Sequence, residues 1–85
     1  MAVVRYTPYG QRALRALPPD VAPRIEAAIR RLADGRAQGE PLSGRWRGLW
    51  RLRLGDWRII YALPGDDVVV IHGIGHRRDV YRQRR

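Results

Sequence analysis

The stretch over residues 49–63 constrains the fold of this chain most, because it predicts two strands joined by a tight turn. Residues 49–54 alternate apolar side chains with arginine, and residues 57–63 continue after a Gly-Asp pair. Successive side chains on a strand point to opposite faces of a sheet. The apolar side chains of the first strand therefore share one face, and Arg51 and Arg53 share the other.

Further elements are predicted on both sides of this hairpin. Alternation over residues 2–7 predicts a first strand, and the apolar run over residues 68–74 predicts a strand in the interior of the sheet. Apolar residues at helical spacing predict a short helix over residues 9–17. The same spacing predicts a longer helix that Asp20 caps and that ends near Gly35.

Together these elements predict one α+β domain over residues 1–85, in the order strand, helix, helix, strand, strand, strand. Residues 36–47 contain glycine and proline and are predicted to form a loop. We expect the two helices to pack on one face of a small, mainly antiparallel twisted sheet. A short basic turn or helix is expected at the C-terminus. No predicted element remains to cover the other face of the sheet.

The charge of the chain favours a polyanionic partner. All 17 basic residues are arginine, and the formal net charge is +9. Residues 42–85 hold ten arginines against four acids, compared with seven against four in residues 1–41. A guanidinium binds phosphate oxygens in pairs and stacks on bases, so nucleic acid is the polyanion that fits best. A base-composition bias in the genome would also replace lysine by arginine. It would not concentrate the excess of arginine over acidic residues in residues 42–85.

What the chain lacks excludes several classes of site. It has no cysteine, so disulfides and thiolate metal sites are excluded, and its two histidines cannot build a closed zinc site. We expect no metal and no cofactor. No apolar run approaches the roughly 18 residues of a membrane span, and the first residues lack a secretory pattern. We expect a cytoplasmic protein without a membrane partner.

The arginines of the hairpin form the candidate site. Across the tight turn, Arg58 is expected to lie near Arg53, so that three guanidinium groups, with that of Arg51, can converge on one phosphate. Arg77 and Arg78 add a second cluster just after the last strand. Ordinary solvated arginines on an open sheet face would give the same alternation. The neighbouring tryptophans and the second cluster favour a binding site.

Three segments together resemble the RelE/ParE superfamily of bacterial toxins. They are Leu-Ser-Gly at residues 42–44, Trp-Arg-Leu-Arg-Leu-Gly-Asp-Trp-Arg-Ile-Ile-Tyr at 50–61, and Ile-Gly-His-Arg-Arg-Asp-Val-Tyr at 74–81. The predicted element order and the Leu-Pro-Pro before the second helix also match, so the resemblance covers almost the whole chain. It implies the toxin of a type II toxin–antitoxin system. In the RelE-like branch such a toxin is a ribosome-dependent endoribonuclease that cleaves mRNA.

The resemblance also implies which residues form the site. Carried over by position, the catalytic residues are Arg51, Arg53, Arg58, Arg77 and Tyr81. The residues expected to contact RNA are Arg45, Arg47, His76 and Arg78. The best-known members carry lysines in place of Arg51 and Arg53, and an arginine effectively cannot lose its proton. The general base therefore stays open between the groups of the RNA itself, His76 and Tyr81.

Two other functions stay open. A ParE-like toxin inhibits DNA gyrase through protein contacts, and a non-catalytic RNA-binding module would need only the positive charge. Retention of all five catalytic positions favours the nuclease. The resemblance further implies a cognate acidic antitoxin similar to RelB, the ribosome and its mRNA as targets, and operator DNA reached only through the antitoxin.

Overall fold

The structure is a computed structural model, and it describes residues 1–80. In chain order the elements are β1 (Val3–Tyr6), α1 (Pro8–Arg15), α2 (Ala22–Ala33), β2 (Glu40–Pro41), a 3₁₀ turn (Gly44–Trp46), β3 (Trp50–Leu54), β4 (Trp57–Gly65) and β5 (Val68–His76). The α+β class and the predicted order of helices and long strands are confirmed. None of the described helices is both long and apolar enough to cross a membrane.

Within residues 1–80, one five-stranded sheet forms the frame, in the order β1-β5-β4-β3-β2. β1 pairs with β5 in parallel, and the other neighbours pair antiparallel. The predicted interior position of the last strand is confirmed, since β5 lies between β1 and β4. The loop predicted over residues 36–47 is wrong in one respect, because Glu40–Pro41 pairs with β3 as a fifth strand. A two-residue edge strand that contains proline carries no readable alternation.

α1 and α2 begin in different ways. α1 starts after Thr7, whose side-chain oxygen accepts a hydrogen bond from the Gly10 amide at 3.1 Å. The predicted cap at Asp20 is wrong, because Val21 occupies the N-cap position of α2 without a side-chain hydrogen bond. The Val21 amide instead donates to a backbone carbonyl at 3.0 Å, so a main-chain turn leads into the helix. The predicted end is confirmed by Gly35, whose φ of 74° suits glycine after a helix.

The main core lies between the helices and one face of the sheet. Its buried members include Ile25, Ala28, Ile29 and Leu32 of α2 together with Ile59, Tyr61, Val69, Ile71 and Ile74 of the sheet. The apolar residues of β3, which are Trp50, Leu52 and Leu54, pack against the same cluster, as alternation predicted. Burying this surface is the main favourable term in folding, and it determines which face of the hairpin points away from the helices.

The opposite face of the sheet is partly covered, which corrects the expectation that it is bare. A second buried cluster lies there, formed by Leu49, Ile60 and Val80, with Leu42, Trp46 and Ala62 packed around it. β4 is apolar on both faces beyond Arg58, so this part of the sheet requires a cover. The loop before β3 and the turn after β5 provide it. The arginines of β3 and β4 stay at least partly exposed on this face.

Candidate functional site

Three of the predicted arginines lie together on the face of the sheet that points away from the helices, here termed the site face. Arg53 of β3 is directly opposite Arg58 of β4, and Arg51 lies two residues away along β3. Directly opposed residues on antiparallel strands have Cβ atoms about 5 Å apart. On β5 the partner of Arg58 is Gly75, which adds no side chain. The three side chains therefore lie on one face of the sheet, as the alternation predicted, with Arg53 exposed and Arg51 and Arg58 half-buried.

Glu40 lies on the same face and was missed by the sequence analysis. Its carboxylate oxygens lie 3.6 Å from Nη2 of Arg51 and 3.9 Å from Nε of Arg53. Glu40 is paired with Arg51 between β2 and β3, so the two side chains point the same way. The Glu40 side chain is 61% exposed, so these ion pairs are screened by water and add little to folding stability. Their importance is that they place a carboxylate among the arginines.

Arg58 is oriented by the turn that precedes it. Its Nη1 atom donates to the Gly55 carbonyl at 2.7 Å and to the Trp57 carbonyl at 2.9 Å. Gly55 has a φ of 64°, which a glycine adopts without strain. Because both bonds use one nitrogen, the rest of the guanidinium fork stays available to an anion. The turn thus presents Arg58 in a defined orientation.

Arg77 is held at the same end of the sheet. Its amide donates to the Asp56 carbonyl at 2.7 Å, and its Nε lies 3.9 Å from the Asp56 carboxylate. These contacts bring the chain after β5 against the β3–β4 turn, beside the start of the strand that carries Arg58. Arg78 follows in the same exposed turn. The second predicted arginine cluster therefore borders the first.

The remaining predicted residues are more scattered. Arg45 and Arg47 are exposed in the loop that covers the second cluster. His76 is not brought to the arginines, because it is paired with Trp57 on the helix side of the sheet, and the two rings meet edge to face at 6.2 Å. Tyr81 follows a buried valine of the second cluster, but it lies outside the described residues.

The site face can bind and stabilise an oxyanion, but it offers few groups that carry protons. Guanidinium groups stay protonated throughout the pH range in which proteins fold. Within residues 1–80, the carboxylate in contact with Arg51 and Arg53 is that of Glu40, and no three His, Asp or Glu residues are grouped to hold a metal ion. The chemistry that this arrangement supports is therefore phosphate binding with a carboxylate as the nearby proton acceptor.

Comparison with known proteins assigns the family. Residues 4–81 match the family described as the ParE toxin of type II toxin-antitoxin systems, parDE. The chain belongs to this toxin family. Toxin RelG of Mycobacterium tuberculosis is 34% identical in an alignment that covers 94% of this chain and 95% of that protein. The resemblance to the RelE/ParE superfamily seen in the sequence is thereby confirmed.

Solved structures of related toxins share the fold of this family member. A chain in the RelBE2 toxin–antitoxin complex of Mycobacterium tuberculosis is 33% identical, with a TM-score of 0.66 over 92% of this chain and 93% of its own. The isolated E. coli RelE toxin has a TM-score of 0.75 at 15% identity, over 89% of this chain and 84% of its own. At 15% identity the second likeness concerns the fold alone.

Proposed function

We propose that this toxin is a ribosome-dependent endoribonuclease that cleaves mRNA. The observation that carries the proposal is the site face, where arginines from two strands lie together with one carboxylate. A phosphodiester on this surface meets positive charge from both strands and a proton acceptor. Cleavage of RNA by its own neighbouring hydroxyl requires these groups.

In the proposed reaction, the ribose 2′-oxygen forms a bond to the adjacent phosphorus, and the bond from phosphorus to the next 5′-oxygen breaks. The proton of the 2′-hydroxyl passes to a base, and the leaving 5′-oxygen takes a proton from an acid. The new ends are a 2′,3′-cyclic phosphate and a 5′-hydroxyl. Negative charge grows on the phosphoryl oxygens in the transition state, where Arg58 and Arg77 stabilise it.

Glu40 is the proposed base. Its carboxylate lies beside the position of a phosphate held by Arg51 and Arg53, whereas the ring of His76 lies on the other side of the sheet. A carboxylate can accept the proton that the two arginines cannot. Tyr81, which the resemblance places in the site, is proposed to stack on or hydrogen-bond to the substrate and to share in proton transfer.

We further propose that a cognate acidic antitoxin covers the site face. RelBE2 of Mycobacterium tuberculosis, a relative of this chain, was solved as a toxin–antitoxin complex. A net charge of +9 favours an acidic partner and also polyanionic targets, which here are the ribosome and its mRNA. Contact with operator DNA would occur only through the antitoxin.

Transcript mapping after brief induction tests the nuclease. Primer extension is expected to show codon-phased cuts in translated messages with the wild-type chain. Glu40→Gln and Arg58→Ala should each lower the cleavage rate by about 100-fold. Arg30→Ala, which removes an exposed arginine of α2, is the matched control and should leave it unchanged. Growth inhibition that persists without cuts in Arg58→Ala and Tyr81→Phe would overturn the proposal.

A second candidate is inhibition of DNA gyrase, which the match to the ParE toxin family favours. Induction would then change plasmid supercoiling and damage DNA while transcripts stay intact. Agarose gels of plasmid DNA and primer extension from the same cultures distinguish the two functions. Codon-phased cuts with unchanged supercoiling would exclude gyrase as the target.

A further inference from the structure

β2 is a short edge strand that pairs with β3, and the residues on both sides of it are held by further hydrogen bonds. It is two residues long, and one of them is Pro41, which has no amide hydrogen to donate. After β2, the Leu42 amide donates to a backbone carbonyl just before β3 at 2.8 Å. Before β2, the Gly39 amide donates to the Tyr61 hydroxyl at 2.8 Å. The position of Glu40 therefore depends on its pairing with Arg51 and on these two flanking bonds.

Tyr61 reaches Gly39 across the full width of β3. It belongs to β4, and β3 lies between β4 and β2. The Tyr61 side chain is fully buried and stacks against Trp50 of β3, with ring centroids 6.3 Å apart and planes at 23°. Burial raises the pKa of Tyr61, so its phenol is neutral throughout the physiological range. The main core thus presents a fixed hydroxyl to the chain just before β2.

Gly39 lies so close to its neighbours that any side chain at this position would force the backbone to shift. A Cβ atom at this position would lie 2.2 Å from the Arg51 carbonyl oxygen and 3.0 Å from the Tyr61 hydroxyl oxygen. The residue directly before Glu40 is therefore in contact with both β3 and the tyrosine. If this segment moved, the Glu40 carboxylate would move with it.

We propose that the Tyr61 hydroxyl is a positioning group that, through Gly39, fixes β2 so that the Glu40 carboxylate contacts Arg51 and Arg53. This inference rests on the proposed function, in which that carboxylate takes the proton of the 2′-hydroxyl. Tyr61 lies on the helix side of the sheet, so it acts on the site face only through the backbone. A side chain of the core thereby sets the geometry of the base.

Tyr61→Phe tests the inference, because it removes the hydroxyl and keeps the ring against Trp50. Tyr6→Phe is the matched control, since Tyr6 is a half-buried tyrosine that also packs on the main core, but on β1 at the far edge of the sheet. With the full-length toxin and translating ribosomes, we expect kcat to fall about 10- to 100-fold in Tyr61→Phe, with KM changed less than about twofold. Tyr6→Phe should leave both constants unchanged.

A double-mutant cycle separates positioning from a general structural role. If Tyr61 acts through Glu40, Tyr61→Phe should cause no further loss in a Glu40→Gln background. Gly39→Ala displaces the same segment and should behave alike, which provides a second variant if Tyr61→Phe fails to fold. If the fold-losses in kcat of the single variants multiply fully in the double variants, the proposal is overturned. A wild-type kcat in folded Tyr61→Phe would do the same.

A measurement on the resting protein separates this inference from the nuclease activity. The ¹⁵N NMR signals of the Arg51 and Arg53 Nε–H groups should shift in Tyr61→Phe, as they do in Glu40→Gln, and should not shift in Tyr6→Phe. Unshifted signals in Tyr61→Phe would overturn the positioning role. A wild-type chain that cleaves no RNA would overturn the proposed nuclease, and the NMR comparison would still decide whether Tyr61 positions Glu40.

Discussion

Replacing Gly10 by alanine tests how closely α1 packs on the sheet. Gly10 is buried in the first turns of α1, and an added Cβ would lie 2.2 Å from the Ile71 carbonyl oxygen and 2.9 Å from its carbon. The same carbonyl accepts a hydrogen bond from the Thr7 amide at 3.0 Å, just before the helix begins. The Ile71 carbonyl and the Thr7 amide that bonds to it are both backbone groups. Neither can relieve the clash by changing rotamer, as a side chain could.

The cost follows from the size of the clash. To restore ordinary van der Waals contact, α1 must retreat from β5 by about 1 Å, which loosens the packing of its apolar face. Overpacking of this kind costs about 1–3 kcal/mol, and the better helix propensity of alanine returns about 1 kcal/mol at most. With backbone as the obstacle, we expect a net loss of about 1–2 kcal/mol. For a domain of this size the melting temperature should fall by roughly 4–16 °C.

Thermal and urea unfolding of the full-length chain, followed by circular dichroism, measure this loss. Gln11→Ala is the matched control, because Gln11 is the exposed neighbour in the same helix and its replacement changes propensity without a contact. It should shift the unfolding free energy by less than about 0.5 kcal/mol. The reasoning is refuted if Gly10→Ala is as stable as Gln11→Ala.

Two further predictions concern stability. Thr7→Ala removes the side-chain acceptor of the Gly10 amide and should lower the free energy of unfolding in urea by about 1 kcal/mol. Thr7→Ser keeps the hydroxyl and should retain most of that stability, so equal stability of the two variants would contradict the capping role of Thr7. Burial raises the pKa of Tyr6 and of Tyr61, so the unfolded chain releases these protons first, near pH 10. The stability from the neutral phenols is therefore complete below about pH 10 and is lost as the pH rises through the folded-state pKa values, with a smaller loss in Tyr61→Phe. An unfolding free energy that stays constant between about pH 9 and 11.5 would disprove this pH dependence.

The pattern of the hairpin was sufficient to predict the arginine face. The direction of a side chain on a strand depends on the local backbone alone, so alternation placed Arg51 and Arg53 opposite the apolar residues. The short Gly-Asp turn left one simple register, which brings Arg58 opposite Arg53. The segments that carry the resemblance to the toxin superfamily are also contiguous, and they could be read without any knowledge of packing.

Local propensity failed where the main chain had another way to satisfy its hydrogen bonds. Asp20 is a favourable N-cap residue, but the amide of Ala22 already donates to the Pro18 carbonyl at 3.0 Å, Pro23 has no amide to donate, and the helix begins at Ala22. The carboxylate therefore has no role there that the structure reveals. Propensity describes what a residue permits, and the packing of α2 on the sheet decides which residue begins the helix.

Only the tertiary structure decided what lies around the arginines. Glu40 reaches them from a two-residue edge strand whose preceding residue, Gly39, bonds the distant Tyr61, and Val80 covers Ile60 because the chain turns back after β5. These contacts join segments about 20 residues apart in sequence, and no local periodicity records them. The sequence alone determined the charge, the faces of the hairpin and the family. The packing of distant segments determined which carboxylate the arginines meet and how much of their face stays open to a substrate.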